Sequence, residues 1–560
     1  MISTIDLYVM ASRKNVVFKN YDPSQQLLLP PSLDELIAET HAVRVVCSVI
    51  DRIDLDALTK TYKGGGASSY HPRMMLKVLV YAYLNNTYSS RRIESALKEN
   101  IHFMWLSGMS YPDHNTVNRF RGHRLQGVMK EIFTQVVMLL MESGHIDMKH
   151  IYTDGTKIEA DANKYTFVWA KSIQTNRKKM KAQLEELWAY TQKVAGEELK
   201  GDDPKDMEEL DPKKLDQTID SINRALKDKE VDSKKKQKLN YAKKNWPKNL
   251  RRYQEQEAIL EERGSYSKTD PDATFMRMKD DHMNNGQLKA GYNLQWSTTD
   301  QYIVNYSLHQ DTTDYRTLIP HYDQIKQQYV RMPEHAVADA GYGSEQNYEY
   351  LEAERVEAYV KYNYFHREQQ KGHKEKYPFR ADRLYYDPER NIHICPMGQT
   401  MQYIGDAKVT SKAGHVSNVS RYQAANCKGC PIRGACHKSS TDRIIEVNHR
   451  LQELKALARK RLTSEQGLAH RSKRPVDVEA AFGNLKQNKQ FKRYMLRGIQ
   501  KVSIETGLLS IAINLKKMAC EEVKKTSEQA KTVVQSFCSH LYTIAMDTLP
   551  QTPHLTITAQ

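Results

Sequence analysis

Ile151-Tyr-Thr-Asp-Gly-Thr156, His335-Ala-Val-Ala-Asp-Ala-Gly-Tyr-Gly343 and Val478-Glu-Ala-Ala-Phe-Gly-Asn-Leu-Lys486 are the three stretches that decide how this 560-residue chain is read. The first two end short apolar runs that read as buried strands, and the third lies in a helical stretch. Each carries one acid: Asp154, Asp339 and Glu479. An aspartate after a strand is by itself most often a turn former or helix cap, and Gly155, Gly341 and Gly343 suit that bland role. Glu479 alone reads as a solvated helix position. Three such patterns in this order, on a basic chain, point instead to a divalent-metal site acting on phosphodiester bonds.

The chemistry behind that expectation is simple. Mg²⁺ is a hard cation that prefers oxygen ligands and keeps water and substrate phosphate in part of its shell. Three acids can therefore hold two ions of Mg²⁺ or Mn²⁺. Two ions about 3.5 to 4 Å apart activate the attacking oxygen and stabilise the leaving one in an in-line displacement. No nucleophilic side chain is then needed.

A formal charge of +16 and an isoelectric point near 9.2 favour a polyanionic partner, with nucleic acid the first candidate. No apolar run approaches the roughly 18 residues that span a bilayer, so no membrane partner is expected. The start, Met1-Ile-Ser-Thr-Ile-Asp6, lacks a charged region followed by an apolar one, which predicts a cytoplasmic chain. Seven cysteines in this length do not make a disulfide scaffold and suit a reducing compartment. Cys395, Cys427, Cys430 and Cys436 are spaced as candidate ligands of a structural Zn²⁺, with His437 a possible substitute; unligated loop thiols are the alternative. Cys47, Cys520 and Cys538 read as small hydrophobes or exposed thiols.

The chain divides into an N-terminal extension (1–30), a helical region (31–145), a core in two pieces (146–169 and 265–365), two insertions (170–264 and 366–445), late core helices (446–524) and a weakly periodic tail (525–560). In the helical region, Pro72 opens one helix, Ser89 caps a second, and a third begins near Asp113 and carries Arg119, Arg121 and Arg124. Short helices with a basic last member suit either a helix-turn-helix reading of DNA or a dimerising bundle. The first insertion has apolar residues seven apart at Ile173, Met180, Leu187 and Val194, then Leu215, Ile219, Ile222 and Leu226, which predicts a helical hairpin. Beyond it, Gly291–Trp296 and Tyr302–Leu308 read as a strand hairpin, followed by helix, strand, helix and strand.

A strand with Asp, a hairpin, a helix, a strand with Asp, a helix, a strand and a late helix with Glu is the order of the ribonuclease H-like fold. Here the sequence resembles the DDE transposases of bacterial insertion sequences. The resemblance rests on Asp113-His-Asn-Thr-Val-Asn-Arg-Phe-Arg121, Asp154-Gly-Thr-Lys157, Asp339-Ala-Gly-Tyr-Gly-Ser344, the Cys-Pro and Cys-x-x-Cys-Pro elements, and the block from Val478 to Asn514. It implies an α/β fold: a mixed five-stranded sheet with flanking helices, interrupted by the two insertions and preceded by an all-α domain. It also implies that Asp154, Asp339 and Glu479 are both the catalytic and the metal-binding triad. Double-stranded DNA, as element ends and target, would be the partner, bound by a homodimer in a paired-end complex.

Lys486 lies about two turns past Glu479 and can meet a phosphate, a role the resemblance supports. The family's wider signature places a Tyr and an Arg before the Glu, at spacings filled here by Ser472 and Pro475. Arg471, Lys473 and Arg474 crowd the same stretch. Arg474, Arg493, Arg497, Arg119 and Arg121 join Lys486 as expected DNA contacts. The implied reaction is cleavage at terminal inverted repeats and transfer of the freed 3′-hydroxyl to target DNA. Competing readings are a nuclease without strand transfer and a non-catalytic DNA-binding derivative.

Overall fold

The computed structural model describes residues 30–62, 68–196, 199, 203–207, 210–278, 287–370, 378–411 and 413–548, with no side chains at 526, 527 and beyond 528. The expected extension through residue 29, the Cys538 side chain and the end of the tail from 549 lie outside this set.

The centre is a mixed sheet. In chain order its strands are β1 (His150–Glu159), then, after a small ribbon of β2 (Phe167–Trp169) and β3 (Ser265–Ser267), β4 (Thr274–Arg277), β5 (Leu288–Thr299), β6 (Tyr302–His309), β7 (His335–Ala338) and β8 (Glu357–Val360). β5 lies antiparallel to β1, while β7 and β8 run parallel to β1 on its other side. β6 and the short β4 share the outer edge of β5, β4 along Leu288–Gly291 and β6 along Asn293–Thr299. The sheet thus has six strands, one more than the five expected. The extra strand, β4, follows a proline and has only four residues, too few to show a period.

Helices cover this sheet. Those at Leu318–Tyr329 and Glu345–Ala353 fill the crossovers to β7 and β8, as parallel pairing requires. Of the N-terminal helices, Pro72–Leu84, Ser90–Glu99 and His114–Arg119 fall where sequence signals placed them; Ala42–Asp51, Ile101–Ser107 and Met129–Glu142 accompany them. Pro72 stands at the first helical position and the Asp113 carboxylate accepts the Thr116 amide at 2.8 Å, a standard N-cap. These helices share one apolar core with the sheet and the long C-terminal helix Ile499–Thr548. That helix passes Lys525, where weak periodicity predicted an end, because no Pro or Gly interrupts the chain between Leu508 and Thr548.

The first insertion is three helices, Ala170–Ala195, Pro212–Ala225 and Ser233–Leu260, around a core of their own that contains Met180, Leu187, Leu215, Ile219, Ile222 and Leu226. The second holds an antiparallel five-stranded sheet of β9 (Tyr385–Asp387), β10 (Ile392–Ile394), β11 (Thr400–Thr410), β12 (Val416–Ala424) and β13 (Ile444–Val447). Most of β11 is exposed, whereas β12 is largely half-buried, with Tyr422 and Ala424 buried near its end. No helix among the described residues is long and apolar enough to cross a membrane.

Candidate active site

β1 and β7 pair in parallel register, His150 opposite His335 and Thr153 opposite Ala338. The next residue on each is the aspartate, so neighbouring strands deliver Asp154 and Asp339 side by side. Both also perform the bland turn chemistry: Asp154 Oδ1 accepts the Gly155 amide and Asp339 Oδ1 the Gly341 amide, each at 2.8 Å. Glu479 arrives from a helical segment pinned to the sheet. Phe482 stacks flat on Trp296 with ring centroids 4.9 Å apart, and buried Asp477 accepts the Thr298 hydroxyl at 2.6 Å and the Gln301 amide at 3.0 Å.

One guanidinium joins the three acids. Arg474 Nη2 lies 3.0 Å from Asp154 Oδ2 and 3.9 Å from Asp339 Oδ2, and Nη1 donates to Glu479 Oε1 at 2.7 Å. The Arg474 and Asp154 side chains are only 8% and 9% exposed, against 39% for Asp339 and 47% for Glu479, so the cluster is closed beneath and open above. Arg474 is therefore a site residue rather than a surface cation.

Helix geometry explains why sequence spacing hid this. Pro475–Glu479 forms a π-helical turn, which takes one more residue than an α-turn. Pro475 has no amide hydrogen to donate, so it removes the bond that would enforce α spacing. With one residue added, Arg474, five before Glu479, shares its face and takes the place expected of Pro475. Lys486 lies on a second π-helical turn, Asn484–Asn488, and is partly buried.

Two further groups complete the surroundings, and sequence reading missed both. Asp314, in an irregular loop, accepts Asn293 Nδ2 at 2.7 Å and Gln295 Nε2 at 3.1 Å. A methyl placed on Gly341 would sit 3.0 Å from Asp339 Oδ1 and 3.5 Å from Asp314 Oδ2; one on Gly155 would sit 2.9 Å from Asp314 Oδ1 and overlap Gln295 Nε2. Gly155 is thus required by close approach rather than by positive φ, while a methyl on Gly341 would need Asp339 to give by a few tenths of an ångström. Lys361, just past β8, is held below the usual lysine range by burial and then by Arg474 and Arg471, against the pull of Asp339 and Glu479. Buried Tyr342 donates to Gln295 Oε1, and burial followed by the charges of Asp314, Asp154 and Asp339 keeps its phenol protonated.

The other expected DNA contacts separate sharply. Arg119 is exposed. Arg121 is corrected: at 3% exposure it is interior, donating to the Tyr83 hydroxyl at 3.1 Å and the Tyr88 carbonyl at 2.6 Å beside fully buried Glu505. Glu505 accepts the Tyr83 hydroxyl together with the Met495 and Leu496 amides, so the Arg121–Tyr83–Glu505 relay ties the N-terminal helices to the late block. Arg493 and Arg497 are about half exposed and both pair with Asp161. Much of the block from Phe491 to Asn514 is likewise structural. Asn514 exchanges two 2.8 Å hydrogen bonds with the Ile303 backbone, Phe491 packs edge-on to Tyr88 and Tyr494, and Gly498 adopts φ +84.

The cysteines do not converge. Among the described residues the one set of three or more His, Cys, Asp or Glu with ligand atoms mutually within 4.8 Å is His150, His335 and His470. Cys395 and Cys427 instead pack against the small core of the second sheet, and Arg443 donates to Cys436 Sγ at 2.9 Å and, through its amide, to Cys427 Sγ at 3.4 Å.

Two family models match the chain. One, described as a transposase DDE domain, covers residues 394–519 and so includes Arg474 and Glu479; the other, a transposase domain (DUF772), covers 31–123 and so includes the N-terminal helices. No curated protein and no solved structure matches. Transposase domain models thus match on either side of the central sheet, which supports a DDE transposase of an insertion sequence.

Proposed function

We propose that this chain binds the terminal inverted repeats of its own element as double-stranded DNA, cleaves there, and joins the freed 3′-hydroxyl to target DNA, using Mg²⁺ or Mn²⁺ held by Asp154, Asp339 and Glu479. The observation that carries this reading is the gathering of three acids from two strands and a helix around one guanidinium. The strand order β6-β5-β1-β7-β8, an antiparallel hairpin followed by two parallel strands, supports a ribonuclease H-like core.

The donor set fits the proposed ions. It consists of carboxylate oxygens, which suit hard cations, and its three negative charges are offset at close range by one buried arginine that stands where positive charge is required. When bound, such ions raise the nucleophilicity of the attacking oxygen and neutralise charge on the phosphate. The chain's own residues do the positioning. Arg474 holds the carboxylates converged through its planar fork, which a lysine cannot reproduce. Lys361 adds a second positive group at the edge of the acids, available to a phosphate entering from the open side. The Asn293–Asp314–Gln295–Tyr342 network keeps the floor rigid beneath Gly155.

DNA is then held by exposed cations, with Arg119, Arg493, Arg497 and Lys486 the candidates that remain at or near the surface. Two element ends must be paired for strand transfer, so the working assembly is a homodimer or larger. Such a protein acts in the cytoplasm, on the nucleoid. The test is incubation of purified protein with labelled element ends and Mg²⁺ or Mn²⁺. Cleaved and strand-joined products are expected; bound but uncut ends in both metals would refute the enzymatic reading.

A further inference from the structure

Asp154, Asp339 and Arg474 each have a histidine four residues before them: His150, His335 and His470. Strand side chains return to the same face every second residue and helical ones about every fourth, so each histidine shares a face with its charged successor. The three elements that converge on the acids therefore converge again one level down, about 13 Å away along the strands at 3.3 Å per residue and about 6 Å along the helix at 1.5 Å per residue. His150 and His335 lie opposite each other on paired strands, and His470 comes from the helix Glu465–Arg474 above them.

The geometry is that of a ligand set. One ring nitrogen from each histidine lies within 4.8 Å of the other two. His335 Nδ1 and His470 Nε2 are 3.1 Å apart, close to the spacing of about 3.3 Å between nitrogens bound at 2.0–2.1 Å in a tetrahedral zinc shell. The far nitrogens have the outer partners that metal-bound imidazoles need: the Tyr152 hydroxyl lies 2.9 Å from His470 Nδ1, and Glu357 Oε2 lies 3.5 Å from His335 Nε2. His150 Nδ1 is buried with no hydrogen-bond partner, although buried polar atoms nearly always find one.

We propose that His150, His335 and His470 bind one transition cation of the zinc class, at a site distinct from the acids, and that the ion ties the helix bearing Arg474 to the starts of β1 and β7. Ligand chemistry separates the two sites: imidazole nitrogen suits zinc, cobalt and nickel, whereas the carboxylates suit magnesium and manganese. The ion is structural in role, because it fixes Arg474 one helical turn above it.

The test uses the full-length chain carrying Cys427→Ser and Cys430→Ser, titrated with Co²⁺ as a spectroscopic probe. One equivalent is expected to bind, with visible absorption but no thiolate charge-transfer band, and binding is expected to be unchanged by Asp154→Asn. His470→Ala should abolish it. Tyr152→Phe keeps its ring in the core and removes only the outer hydroxyl; it should weaken binding by about 10- to 100-fold. X-ray absorption of the zinc-loaded unsubstituted chain should show nitrogen neighbours and no sulfur. Failure of the cysteine variant to bind Co²⁺, an unchanged affinity in Tyr152→Phe, or a sulfur shell would each overturn the proposal and leave a packed histidine cluster in which His335 and His470 hydrogen-bond to each other.

Discussion

Replacing Arg474 with methionine keeps a long side chain in the space between the acids and removes the one guanidinium that touches all three. The expected cost follows from exposure. Asp154 and Arg474 are both buried and 3.0 Å apart, and losing one partner of a buried pair costs about 3–5 kcal/mol. Asp339 and Glu479 are 39% and 47% exposed, so solvent screens their contacts to about 0–1 kcal/mol each. Arg474→Met should therefore lose about 3 kcal/mol in EDTA, nearly all of it from the stranded Asp154. Divalent ions should replace the missing charge: at 100 times its dissociation constant, Mg²⁺ would restore about 2.7 kcal/mol. Urea unfolding in EDTA and in Mg²⁺ reads both effects. Arg474→Lys, with a charge but no fork, should fall between. Equal stability of variant and wild type in EDTA, or an equal Mg²⁺ response in both, would refute the placement of Arg474 as the internal counter-charge.

Gly155→Ala should abolish cleavage while the protein still folds, because the added methyl meets Gln295 and Asp314 and overpacking costs about 1–3 kcal/mol; near-wild-type cutting by this variant would contradict the close approach. Arg121→Ala should lower stability to urea by about 1–3 kcal/mol, since the buried Tyr83 hydroxyl and Tyr88 carbonyl lose their donor, and should leave the salt dependence of end binding unchanged. Arg119→Ala should do the reverse, lowering the salt slope by about 0.9 with stability intact, as measured by filter binding across salt concentrations. Lys489 donates to the Tyr83 and Leu84 carbonyls from a buried position that, with Lys516 nearby, pulls it down to about 8. The unfolded chain then binds more protons between about 8 and 10.5, so stability should rise with pH across that window. Urea midpoints of Lys489→Met should lack this rise; an identical pH profile would count against the burial.

Much of the architecture was legible because it obeys simple periods. Ile151–Asp154 and Ala336–Asp339 are short apolar runs ending in acids, and parallel register then fixes their carboxylates side by side. Capping residues Pro72 and Asp113 gave the starts of N-terminal helices. What stayed hidden has identifiable physical causes. A π-helical turn shifted Arg474 by one position, so its pairing with Glu479 could not be read at α spacing. Asp314 sits in a loop without period and reaches the site only through the folding of Asn293 and Gln295 beneath it. Arg121 read as a surface cation because arginine usually is one, and its inward course is explained by the Tyr83 hydroxyl and Tyr88 carbonyl that it donates to. The strands β11 and β12 carry only a weak alternation, in β11 Met401, Tyr403, Ala407 and Val409 against largely polar neighbours, and no continuous apolar run marks them. The cysteine spacing suited zinc, yet distance in space decides which side chains can share an ion, and the ones that converge are histidines on elements far apart in sequence.

The central claim is that Asp154, Asp339 and Glu479 share divalent ions, and direct Mn²⁺ binding tests it most directly. Electron paramagnetic resonance of the full-length protein titrated with Mn²⁺ should show two saturable, magnesium-competable ions, with tight binding lost in each of Asp154→Asn, Asp339→Asn and Glu479→Gln. Undiminished Mn²⁺ binding in any one of these variants would remove that acid from the site, and undiminished binding in all three would contradict the account.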